Sequence, residues 1–148
     1  MRHYIRILTV AALAAGATAC DEKLSNIAGP TPNLEPTFSS IQVNIFEAAD
    51  SSGRPACVSC HTNVGRTPAG QLVLLHDAAY DQLVNRASVQ QSNLSRVAPN
   101  NPDASYIVRK LEGTPGINGV RMPQNGPYLA QGQIDIIRRW IEIGAPRN

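Results

Sequence analysis

Cys57-Val58-Ser59-Cys60-His61 is the stretch on which the rest of the sequence turns. Two cysteines three positions apart come round on one turn of chain. They can reach the two vinyl groups of a single haem and form thioethers, while the adjacent His61 points its imidazole at the iron. Three other chemistries share part of this pattern. A thioredoxin-type pair needs a βαβ context, and no run of alternating β-branched residues supplies one. Zinc held by Cys57, Cys60, His61 and His76 asks two neighbouring residues to point at one tetrahedral ion. A disulfide across two intervening residues closes too short a loop to staple much. One covalently attached haem c is the leading expectation.

The sixth position of the iron separates electron carriers from haem enzymes and gas binders. Met1 and Met122 are the only methionines, so Met122 is the single thioether left once a leader is removed. It lies in Gly116-Ile117-Asn118-Gly119-Val120-Arg121-Met122-Pro123-Gln124-Asn125-Gly126-Pro127, a loop with neither helical nor strand periodicity. A lone Met is ordinarily core filler. Here no regular face exists to bury it on, and Pro123 stiffens the backbone beside it. Met122 is the favoured sixth ligand, with His76 and an open iron as the alternatives. Arg66, Arg121 and Tyr128 are candidates to pair with haem propionates. Arg138 and Arg139 read as a solvated face.

Hydrophobic periodicity predicts an all-α domain of about four short helices wrapped around one haem, joined by long Gly/Pro-rich loops. The first runs from about Phe38 to Ala49, with Phe38, Ile41 and Ile45 at helical spacing, and ends at Asp50-Ser51-Ser52-Gly53. The second spans about His76 to Asn85 and buries Tyr80, Leu83 and Val84. The third starts at Asn101-Pro102-Asp103, where Asn caps, Pro suits the first turn and Asp faces the positive helix end; Tyr106, Ile107 and Leu111 are its buried residues. The fourth, about Gly132 to Ile143, carries Ile134, Ile137 and Ile141 on one strip beside Ile136 and Trp140, and stops at Gly144 and Pro146. No internal repeat is present.

The 148 residues, 43% hydrophobic and 16% charged, suit one domain plus an export and tether segment. Only two Phe, four Tyr and one Trp are available to build a core, and a haem would add apolar bulk. Basic residues near the start, the apolar run Ile7 to Ala17 and Ala17-Thr18-Ala19 before Cys20 read as a signal peptide over residues 1–19. The 13 residues from Ile7 to Ala19 fall short of the roughly 20 needed to span a bilayer. Cys20 is then either a lipidated first residue, as in a bacterial lipobox with Ala17 in place of the usual Leu, or a free thiol after plain cleavage. Residues 20–37, with Pro30, Pro32 and Pro36, read as anchor and flexible tether. Loss of Arg2 and Arg6 with the leader leaves 11 basic against 11 acidic residues, which argues against nucleic acid as a partner. The expected location is outside the cytoplasm, periplasmic or on the cell envelope, with membrane attachment through Cys20.

From Phe38 to the C-terminus the chain resembles a class I type bacterial cytochrome c domain, as found in short exported or membrane-associated cytochromes. The resemblance rests on Ile41 to Phe46 ahead of Cys57-x-x-Cys60-His61, Tyr80-x-x-Leu83-Val84, Pro102-x-x-Ser105-Tyr106-x-x-x-Lys110-Leu111, Arg121-Met122-Pro123 and Ile137-x-x-Trp140-Ile141-x-x-Gly144-Ala145. It implies that the first and last helices cross beside the haem, with Phe46 or Ile45 against Trp140 or Ile137. It also implies that the Pro68 carbonyl orients the His61 imidazole. His61/Met122 ligation then implies one-electron transfer to and from protein redox partners such as an oxidase, reductase or dehydrogenase. The alternatives are a haem enzyme or ligand sensor with an open sixth site, or the cytochrome subunit of a larger oxidoreductase.

Overall fold

The structure is a computed structural model, and it describes residues 33–148. The signal-peptide reading, the lipidated Cys20 and the tether up to residue 32 lie outside the described residues. Four α-helices follow in order: α1 Phe38–Ile41, α2 Ala79–Leu83, α3 Tyr106–Glu112 and α4 Gln131–Glu142. Short 3-10 turns occupy Cys57–Ser59 and Ala69–Gln71. No strand forms among the described residues; the only β-type pairings there are isolated bridges, Val84 with Val97 and Ala87 with Ser95. The fold class is therefore all-α, with much of the chain in loops.

The longest helix shows why. In α4 the residues Ile134, Ile137, Trp140 and Ile141 are all fully buried, while Asp135, Arg139 and Glu142 face out, the stripe that a 3.6-residue period makes from this sequence. The Ala130 N–H donates to the Gln133 side chain at 3.1 Å at its start. Its end is set by Gly144 at φ +97°, where Gly144 N–H and Ala145 N–H return to the carbonyls of Ile141 and Trp140. Arg138 is not purely solvated: it pairs with Asp103 at 2.5 Å and with Glu112 of α3 at 3.1 Å.

Helix α1 is capped by the Thr37 hydroxyl, which accepts from Ser40 N–H at 3.2 Å. It is closed further by the C-terminal residue, since Phe38 N–H and Ser39 N–H donate to the Asn148 side chain and carbonyl, each at 2.9 Å. Its continuation over Gln42–Phe46 is a π-helical turn, shown by the Glu47 N–H to Gln42 carbonyl bond at 3.0 Å. The first helix thus stops at Phe46, short of the expected Ala49, because Arg54 draws the Ile45 and Ala48 carbonyls into its own hydrogen bonds. Phe38 meets Tyr80 edge-on at 5.1 Å and tilts against Trp140 at 5.5 Å, a geometry that suits the ring quadrupoles. Phe38 is the ring that meets Trp140; Ile45, Phe46 and Ile137 lie in the same core.

Two further helices are shorter than their sequence pattern predicts. The α2 helix covers only Ala79–Leu83 because Val84 turns extended to pair with Val97, whose N–H donates to the Leu83 carbonyl at 3.0 Å. The α3 helix begins at Tyr106, not at Asn101. The Asn101 side chain instead caps a separate turn by accepting from Ala104 N–H, and the Ser105 hydroxyl bonds Ala98 and Asn101, holding Ser105 extended at the junction. Val108 joins Tyr106 and Leu111 in the core, while Ile107 is half-buried. No described helix is long and apolar enough to cross a membrane.

Candidate functional site

The motif sits on a 3-10 turn in which Cys60 N–H and His61 N–H both donate to the Cys57 carbonyl, at 3.2 and 2.9 Å. Beneath it lies Arg54, wholly buried. Its guanidinium bonds Asp50 at 2.9 Å and the carbonyls of Ile45, Ala48 and Pro55. That arrangement ties the loop between α1 and the motif into one knot, and the Cys57 thiol reaches the same Ile45 carbonyl at 3.5 Å. Burial pushes the Cys57 thiol above its ordinary pKa, and the nearby Arg54 charge offsets part of the shift.

After the motif the chain folds back over it. Ala69 N–H donates to the Cys60 carbonyl and Leu74 N–H to the His61 carbonyl, at 3.1 and 2.8 Å. The His61 Nδ1 lies 2.9 Å from the Ala69 carbonyl. A carbonyl only accepts, so Nδ1 carries the proton and the Nε2 lone pair is left to bind a metal. Burial holds the imidazole below its ordinary pKa; the backbone at Ala69 and Leu72 opposes that shift, and the positive charges of Arg96 and Lys110 add to it. Ala69, not Pro68, orients the ring. The Pro68 carbonyl is taken by Gln71 N–H at 3.0 Å.

His61 lines an open-mouthed cavity of about 120 Å³. Phe46, Leu72, Leu74, Leu83, Ile107 and Leu111 make most of its surface apolar, and Cys57 and Met122 line it too. Residues 61 positions apart in sequence are thus brought to one chamber. Met122 is held by α3, since its N–H donates to the Lys110 carbonyl at 2.8 Å. The Lys110 ammonium clasps the Asn118 and Val120 carbonyls at 2.9 and 2.6 Å, and Arg121 Nε bonds the Leu111 carbonyl at 2.6 Å. Gly113 makes this approach possible. It sits at φ +73°, and a Cβ there would lie 2.9 Å from the Arg121 Cδ.

No family model, curated protein or solved structure matches the chain. The donor set is what the site itself offers: a neutral imidazole of fixed tautomer, a thioether and a thiol on the surface of one apolar cavity. His61, Met122 and Cys57 are the residues there that could hold a haem. Cys57 and Cys60 are free thiols, and no three His, Cys, Asp or Glu groups gather as a metal cluster among the described residues.

Some expected residues lie elsewhere. Cys60 is exposed and does not line the cavity. His76 is 66% exposed beside Glu47, at 3.4 Å, and lines a different surface pocket. Arg66 bonds the Ser59 carbonyl, and Arg121 stacks on Tyr128 at 4.1 Å; none of the three reaches the cavity lining. The charged residues that do are Arg96 and Lys110. No periodicity could have singled them out, because basic residues on short helices and loops ordinarily face water.

Proposed function

We propose that the chain is a monohaem c-type cytochrome that transfers single electrons outside the cytoplasm. Cys57 and Cys60 would hold the haem through thioethers, and His61 and Met122 would be the protein ligands of its iron. The reading is supported above all by one observation: His61, with its Nδ1 proton given to Ala69, shares an apolar cavity with Cys57 and with the one methionine of the described residues. A haem bound there supplies the reversible one-electron couple of its iron.

The chain's own residues do the rest. The Ala69 carbonyl fixes the imidazole and raises its basicity as a ligand. Met122, carried on the loop that Lys110 clasps, would supply a second protein ligand and keep substrates from the metal. Its thioether and the apolar lining both favour the less charged reduced state, so the potential is expected to be relatively positive. The partners are other redox proteins. Export rests on residues 1–19, and attachment to the membrane rests on Cys20.

The test is the visible spectrum of the full chain produced with haem-attachment machinery, oxidised and reduced, with and without carbon monoxide, and repeated for Met122→Ala. A c-type reduced spectrum, a Met–iron band that the substitution removes, and no carbon monoxide binding by the unsubstituted protein are the expected results. A c-type spectrum with an open iron would move the function to ligand sensing or catalysis. A chain that takes up no haem ends the proposal.

A further inference from the structure

Three charged side chains are buried among the described residues, and all three are cations: Arg54, Arg96 and Lys110. Arg54 is matched by the Asp50 carboxylate. The other two have no carboxylate partner. Arg96, 8% exposed, donates to the Gln82 carbonyl and side-chain oxygen and to the Gln71 carbonyl. Lys110, 7% exposed, donates only to the Asn118 and Val120 carbonyls. Carbonyl dipoles satisfy hydrogen bonds but leave the charge unbalanced, and a buried unbalanced charge destabilises the fold. A guanidinium has five N–H groups and an ammonium three, so each cation keeps donor capacity beyond the bonds it makes. Both line the cavity that holds His61 and Met122; no other Arg, Lys, Asp or Glu does, and its remaining ionisable groups are Cys57, His61 and Tyr106.

We propose that Arg96 and Lys110 form a dianion site that receives two carboxylates of an otherwise apolar ligand. This rests on the haem reading above, under which those carboxylates are the two propionates. An apolar chamber with two uncompensated cations complements an apolar macrocycle with two acidic arms, and binding supplies the counter-charges the chain lacks. The cations come from separate segments, Arg96 beside the Val97 bridge and Lys110 from α3. Tyr106 N–H and Ile107 N–H of α3 donate to the Ser95 and Arg96 carbonyls, at 2.9 and 3.0 Å, so the chain itself holds the two cations in fixed relation. Neutral esters of the same ligand are expected to be rejected.

The experiment uses the haem-loaded full chain. Absence of covalent haem in the unsubstituted protein, read by mass and spectrum, defeats the haem reading itself and is distinct from the outcomes that follow. Reduction potential is measured from about pH 5 to pH 8, where an ordinary carboxylate is ionised, for the unsubstituted protein, Arg96→Gln and Arg96→Lys. The unsubstituted protein and Arg96→Lys are expected to show a flat profile. In Arg96→Gln a buried carboxylate without its cation rises in pKa and releases its proton when the iron is oxidised, so the potential falls with pH, toward a limit of about 59 mV per unit. Identical profiles for all three proteins overturn the proposal, as does an Arg96→Lys profile that follows Arg96→Gln. Carbon-13 labelling of the propionate carboxylates gives a second readout that needs no variant. Titration below the ordinary carboxylate range supports the site, and titration at about 4 to 5, as for exposed carboxylates, overturns it.

Discussion

The two stretches of chain that carry the candidate ligands are held in different ways. The motif is built locally: Cys57 to His61 close a 3-10 turn on themselves, Arg54 three positions earlier anchors it from beneath, and Ala69 eight positions after His61 fixes the imidazole. The Met122 loop closes one turn of its own, from Gly126 N–H to the Pro123 carbonyl, only after Met122. It is held from outside by α3, through the backbone carbonyls of Lys110 and Leu111 and the Lys110 ammonium. A local turn places its ligand wherever that turn forms, whereas a borrowed placement depends on a helix and a loop docking correctly. The two regions should therefore respond differently to substitution.

The largest effect is expected on the motif side. Replacing Cys57 and Cys60 together by Ala should abolish covalent haem, read as loss of the haem mass and of haem stain on a denaturing gel, whereas Met122→Ala should keep the haem attached. Equal loss in both would mean that the two stretches are not independent.

Next in size, Arg54→Ala should destabilise the chain by about 3–5 kcal/mol, because Asp50 is left without its cation and the Ile45, Ala48 and Pro55 carbonyls lose the guanidinium. Chemical denaturation measures this. A loss under about 1 kcal/mol would show that the knot beneath the motif is not needed to build it.

A smaller change is expected on the Met122 side. Lys110→Met removes the clasp on the Asn118 and Val120 carbonyls and should loosen the loop by about 1.4 kcal/mol, a tenfold shift. Added imidazole should then displace Met122 at roughly tenfold lower concentration, with haem content unchanged. Unaltered imidazole affinity would place the hold on the loop with Arg121 and the Lys110 backbone instead.

Acid should act on the motif side. Burial works to raise the Asp50 pKa, but hydrogen bonds from Ser52 and Arg54 outweigh it and hold the group below its ordinary 3.8. A depressed carboxylate contributes stability above its unfolded-state value, and that contribution is lost as pH falls through the lower folded-state value. Stability measured against pH should therefore drop below about pH 4. The drop should shrink in Asp50→Asn, which starts less stable at neutral pH. A drop of equal size in both proteins would assign the acid sensitivity to another group. The smallest effect is expected for His76→Ala, under about 0.5 kcal/mol and with no spectral change, since its side chain is exposed and outside the cavity.

Helix α4 was legible almost to the residue, because twelve residues of amphipathic pattern carry their own period and Gly144 marks their end. The shorter helices were legible in kind but not in length. What ended them came from distant chain: Val97 drew Val84 out of α2, and Arg54 claimed the carbonyls that would have continued the first helix. Asn101 read as a helix cap and does cap, but it caps a turn that Ser105 separates from α3.

The sequence by itself determined the chemistry that is local. The C-x-x-C-H spacing, Met122 as the single methionine besides Met1 and the periodic faces of the helices are all properties of neighbouring residues, and short-range geometry turns them into a turn, a donor and a stripe. Only the tertiary structure decided which carbonyl orients His61, that Met122 shares its cavity while His76 does not, and that Arg96 and Lys110 are buried there without counter-charges. The physical reason is that burial and charge pairing depend on every segment packed around a group. A cation far from any acid in the sequence can be solvated, paired or stranded, and only the folded chain determines which.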